Sequence, residues 1–78
     1  MKFRKHNNKI CLEENKKVLA FIEYTEEKDK LIINHTFVNE ALRGQGIAKK
    51  LVDKVKEEAD KQGKKTEAIC SYAKKILK

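Results

Sequence analysis

The chain has 78 residues, 40% charged and 40% hydrophobic, with a net charge of +7, three glycines and no proline. That length supports one small domain, residues 1–78, with a small core, and leaves no material for long irregular loops. No apolar run approaches the roughly 20 residues of a membrane span. Met1 to His6 has no apolar stretch behind its charges, so no signal peptide is expected and a cytoplasmic location follows. Cys11 and Cys70 form no Cys-x-x-Cys pair, and His6 and His35 add no metal-ligand spacing. No metal site is expected, and both thiols should stay reduced.

In chain order, Lys9 to Glu13 is a short apolar strand and Asn15-Lys16 a turn. Val18 to Thr25 is rich in β-branched and aromatic residues and reads as a second strand. Glu26 to Asp29 is a charged turn, and Leu31 to Val38 a third strand of high β propensity. Connections this short predict an antiparallel three-stranded meander. From Ile47 the period changes. Ile47, Leu51, Val55 and Ala59, flanked by Ala48 and Val52, form one apolar stripe on a central helix that Gly63 ends. Thr66 to Ile69 is a last strand and Ser71 to Leu77 a short helix. Strand, helix and strand in this order make a βαβ unit with parallel strands. The expected fold is α+β: a meander leading into a βαβ unit with a short C-terminal helix.

The charge is uneven. Residues 1–42 carry eight basic and seven acidic side chains, and residues 43–78 carry eleven and five. The excess in the second half suits a phosphate-bearing partner. Nucleic acid is a poor candidate, because Tyr72 is the one aromatic residue there and no recognition motif appears.

Arg43-Gly44-Gln45-Gly46-Ile47-Ala48 joins the third strand to the central helix. Its two glycines let the backbone turn tightly and approach a ligand. The helix then offers unpaired N–H groups and the positive end of its dipole to an anion. Lys49 and Lys50 in the first turn are disfavoured there unless an anion neutralises them. A dinucleotide fingerprint would need glycine or alanine at Lys49, and the spacing of a P-loop is missing.

These residues resemble the GCN5-related N-acetyltransferases, which carry Arg/Gln-x-x-Gly-x-Gly/Ala at the start of their central helix. Arg43, Gly46 and Ala48 stand at those positions, and the string Val38 to Ala48 followed by Lys50-Leu51-Val52 is similar throughout. Within that family the chain is most similar to the short YidJ-like acetyltransferases. It has His35-Thr36-Phe37-Val38 and Cys70-Ser71-Tyr72 where members read His-Thr-Glu-Val and Cys-Pro-Phe. It departs from them in Phe37, which replaces a glutamate, and in stopping at Lys78 without a His-Pro-Glu-Tyr tail. The resemblance implies a minimal acetyltransferase domain with acetyl-coenzyme A as co-substrate and an amine acceptor of unknown identity. It further implies that Val38, Arg43, Gly44, Gln45, Gly46, Ile47, Ala48 and Lys49 bind the coenzyme, with the pantetheine arm beside the strand ending at Val38.

Two side chains are candidates for the chemistry. Cys70 precedes the last helix in basic surroundings, which favour the thiolate. There it could accept the acyl group as an acyl-cysteine. His35 could be the general base to that thiol or to the incoming amine if the two parallel strands bring it near Cys70. Cys11 is expected in the core, and His6 on the surface near a frayed start. A non-catalytic acyl-coenzyme A-binding module would keep the loop and need neither His35 nor Cys70, and a basic nucleic-acid-binding protein is the third reading.

Overall fold

The computed structural model of the chain describes residues 2–77, the side chains of Tyr72, Ile76 and Leu77 excepted. Five strands form one sheet in sequence order: β1 (Lys2–His6), β2 (Lys9–Glu14), β3 (Lys17–Glu26), β4 (Lys30–Val38) and β5 (Lys65–Ala68). The first four pair antiparallel, and β5 lies parallel to β4. Helix α1 (Ile47–Lys61) crosses from β4 to β5, and α2 (Ser71–Leu77) follows. The meander therefore has four strands where three were expected, while the parallel βαβ unit is as predicted.

The extra strand, β1, escaped the periodicity because all five of its residues are exposed and four of them are basic or histidine. It forms by pairing its backbone with β2 over five register positions, and its inward positions meet α1. The Lys54 Nζ sits 4.6 Å over the Phe3 ring, and Lys5 pairs with Glu58. That ion pair raises the Lys5 pKa and lowers that of Glu58. Because the pair lies at the surface, with Lys5 exposed and Glu58 half-buried, it contributes about 1 kcal/mol or less. A charged outer edge also discourages pairing with another chain. His6 is on the surface as expected, but in a strand paired to Lys9 and not in a frayed start. The signal that marks this hairpin is Asn7-Asn8, a tight turn with Asn7 at φ 54°. Asn15 and Lys16, both at positive φ, make the predicted second turn, of the mirror-image kind that matches strand twist.

The core lies between one face of the sheet and α1. Ile10, Leu12, Ala20, Ile22, Tyr24, Leu31, Ile33 and Val38 meet Ile47, Ala48, Leu51, Val52, Val55 and Ala59. The apolar stripe of α1 is buried in full. Burial raises the pKa of Tyr24, and nearby Lys5 opposes the shift. The helix ends in a Schellman motif. The Lys64 N–H donates to the Ala59 carbonyl at 2.8 Å and the Gly63 N–H to that of Asp60 at 3.1 Å, with Gly63 at φ 67°. No helix among the described residues is long and apolar enough to cross a membrane.

Two bulges adjust the strands. In β3 Leu19 is the extra residue, between the pairs Leu12–Ala20 and Glu13–Val18. In β4 it is Asn34, between Tyr24–Ile33 and Glu23–His35. The Asn34 amide donates to the Thr25 hydroxyl at 2.6 Å. A bulge shifts side-chain alternation by one residue. Leu31 and Ile33 face the core before it, and Thr36 and Val38 after it.

Candidate functional site

The β4–α1 connection begins at Asn39. Its N–H donates to the Leu19 carbonyl at 2.8 Å, which ties the connection to β3. Its side-chain Oδ1 accepts from the Ala41 N–H at 2.9 Å and caps a single 3-10 turn, Glu40–Leu42. The sequence reading passed over this turn, although Asn followed by Glu is an N-cap signal. The Arg43 N–H closes the turn onto the Glu40 carbonyl at 3.1 Å, and the Arg43 side chain is exposed. Gly44 and Gly46 both take left-handed backbone, at φ 84° and 73°.

Gly46 is the N-cap of α1, with no side-chain cap. The first intrahelical bond is Lys50 N–H to the Gly46 carbonyl, at 3.1 Å. Among the described residues the N–H groups of Ile47, Ala48 and Lys49 have no hydrogen-bond partner. The first turn carries no acidic residue. Instead Lys49 reaches forward to Asp53 at 3.2 Å, an exposed pair that leaves the helix end open. Unpaired donors, the helix dipole and two lysines make this end attractive to an anion.

Beside the loop, β4 and β5 part. Their pairing runs from Lys30–Lys65 to Ile33–Ala68 and stops. The Ile69 and Cys70 N–H groups both turn onto the Ile33 carbonyl, at 3.0 and 3.3 Å. Among the described residues, β4 from Asn34 to Val38 therefore has no strand on that side, and the space between the strands opens toward the loop. Cys70 stands where β5 hands over to α2. Its carbonyl accepts from the Lys74 N–H at 3.0 Å, and the residue packs against the core. The Tyr72 side chain lies outside the described residues.

His35 lies elsewhere. The bulge at Asn34 turns it to the open face of the sheet, away from α1. Its ring is 5.5 Å from that of Phe21. Phe21 and Phe37 stack at 5.4 Å, and the Lys9 Nζ sits 4.3 Å over Phe21. The expected approach of His35 to Cys70 across the cleft is not made, because one faces the open side and the other packs toward the helices. Cys11 is buried as expected, but it pairs with Arg4 and Phe21 on the open side and is not part of the core cluster. Neither cysteine is in a disulfide. Among the described residues no group of three or more His, Cys, Asp or Glu could hold a metal ion. A hollow lined by Arg4, Glu13, Asn15 and Lys16 lies on β1, β2 and the turn after β2, and includes no residue of the loop.

Known proteins share this fold. A GCN5-like protein of the N-acetyltransferase type from Staphylococcus aureus is 35% identical, with a TM-score of 0.80 over 97% of this chain and 76% of its own. A ribosomal-protein-alanine N-acetyltransferase from Brucella melitensis biovar Abortus superposes with a TM-score of 0.74 at 18% identity, over 87% of this chain. An aminoglycoside N-acetyltransferase in complex with coenzyme A does so with a TM-score of 0.70 at 13% identity, again over 87%. This chain spans 55% and 61% of those two longer proteins, whose likeness is one of fold. No curated protein matches it in sequence. The model of the GCN5-related N-acetyl-transferase family matches residues 8–78, from the second strand through the uncapped helix and beyond, and the chain belongs to that family.

Proposed function

We propose that the protein is an acetyl-coenzyme A-dependent N-acyltransferase of the short YidJ-like kind, acting on an amine. The observation that carries this reading is the uncapped start of α1, where three N–H groups lie without partners behind a left-handed glycine. A pyrophosphate supplies the missing acceptors. The backbone of Gly44 to Lys49 holds it and Arg43 adds charge from the exposed side. The arm follows the unpaired edge of β4 past Val38. The amine nitrogen attacks the thioester carbonyl, the C–S bond breaks, and the thiol of coenzyme A leaves with a proton.

Two routes fit the arrangement. Cys70 takes the acyl group first, exchanging one thioester for another, and passes it to the amine. Alternatively, His35 accepts the proton of an amine that attacks directly from the open face. Their positions on opposite sides disfavour a relay in which His35 activates Cys70. The same separation favours one second reading, a non-catalytic acyl-coenzyme A-binding module.

Titration of the isotope-labelled protein with acetyl-coenzyme A tests the site. The amide signals of Val38 and of Arg43 to Ala48 should move most, and movement elsewhere with these still would reassign it. Without an amine, the acyl-cysteine route adds one hydroxylamine-labile acetyl group, lost in Cys70→Ser and kept in Cys11→Ser. If Cys70→Ser acetylates amines at the parent rate, transfer is direct. If His35→Ala also matches the parent, neither side chain carries the chemistry.

A further inference from the structure

The Thr36 side chain stands out in the inner face of β4. It is 91% buried, being 9% exposed, and its Oγ1 has no hydrogen-bond partner among the described residues. An enclosed hydroxyl left without a partner is destabilising, and native proteins rarely keep one without a use. Its cross-strand neighbour is Ile22, fully buried and apolar, so the sheet offers it nothing to bond. Valine has nearly the same shape without a hydroxyl to desolvate, and would suit a purely structural position better.

The bulge at Asn34 is what turns Thr36 inward; unbroken alternation from Leu31 and Ile33 would have put it on the open face. It sits three residues past Ile33, the last residue of β4 paired with β5, and two before Val38. The hydroxyl thus lies on the stretch of β4 that has lost its neighbouring strand, on the side of α1 and α2. A hydroxyl both donates and accepts. The amide-and-thioester arm of an acyl-coenzyme A carries carbonyl acceptors and N–H donors along its length.

We propose that Thr36 is a ligand-binding residue whose hydroxyl hydrogen-bonds the amide-and-thioester arm of the bound acyl-coenzyme A. The assignment rests on the acyl-coenzyme A reading of the loop. It adds a side-chain contact along the arm, where the proposed site otherwise offers the strand's backbone edge, and it distinguishes the arm from the nucleotide end of the same ligand.

Calorimetric titration of three proteins with two ligands tests it. The parent, Thr36→Val and Thr36→Ser are each titrated with coenzyme A, which has the arm, and with ADP, which has the pyrophosphate without it. Thr36→Val should weaken coenzyme A about fivefold to tenfold, leave ADP unchanged, and melt at or above the parent temperature. Thr36→Ser, which keeps the hydroxyl, should bind coenzyme A within about twofold of the parent. A Thr36→Val protein that binds coenzyme A as the parent does overturns the proposal while sparing the loop, and the hydroxyl is then satisfied by water or by nothing. Equal weakening of ADP and coenzyme A also overturns it, since the change then acts through the fold. If the parent binds neither ligand, the acyl-coenzyme A reading fails and takes this contact with it.

Discussion

Replacing Gly46 with leucine should reduce coenzyme A affinity at least about tenfold, a loss of some 1.4 kcal/mol, while the helical circular dichroism stays near that of the parent. The reason is conformational. Gly46 holds φ 73° at the start of α1, a backbone region that costs an L-residue roughly 1–2 kcal/mol. A Cβ there would meet nothing within 4 Å, so crowding inside the protein is not the obstacle. The side chain would instead stand in the open space before the unpaired N–H groups, and relief of the backbone strain would turn those groups away. Gly63 provides the control. It has φ 67° and equally open surroundings, but it lies at the other end of the helix. Gly63→Leu should lower the melting temperature by a similar amount, on the order of 4–8 °C per kcal/mol for a domain of this size, and leave affinity untouched. Equal affinities for the parent and Gly46→Leu would count against the loop as the anion site.

The largest effect on stability is expected from Leu51→Ala. Leu51 is fully buried at the centre of the stripe by which α1 meets the sheet. Truncating such a leucine removes its transfer free energy and leaves a cavity, together about 2–5 kcal/mol. A chain of this length has a total stability of roughly 4–12 kcal/mol, so the variant should lose a large fraction of it and shift its urea midpoint well below that of the parent. Ala59→Gly, at a fully buried position near the end of the same stripe, loses only a methyl group and some helix propensity, about 1 kcal/mol of the latter. A Leu51→Ala midpoint no lower than that of Ala59→Gly would mean that α1 is not the main support of the sheet.

The sequence by itself determined the elements whose signal is local. Ile47, Leu51, Val55 and Ala59 recur at helical spacing and specify the buried face of α1, because a four-residue repeat leaves one side of a helix to be covered. Gly63 specifies its end, and the short turns make the strands of the meander neighbours. Arg43, Gly46 and Ala48 sit where strand gives way to helix, and that position made the loop recognisable. Three features depended on tertiary structure. β1 has almost no apolar residues to mark it; its backbone pairs with β2, and its inward residues Phe3 and Lys5 meet Lys54 and Glu58 on α1, some fifty residues away and outside any local window. The parting of β4 from β5 is decided where the Ile33 carbonyl takes both the Ile69 and the Cys70 N–H, a long-range pairing. Unbroken alternation over Leu31 to Val38 would put apolar and polar residues on both faces, with His35 among the first set and Asn34 and Thr36 among the second, so alternation alone could not assign its sides. The unpaired Asn34 assigns them, turning Thr36 toward the helices and sending His35 to the open face beside Phe21, apart from Cys70. Side-chain type is written in the sequence, but the face a strand residue occupies is a property of register, and one extra residue in a long-range pairing reverses it.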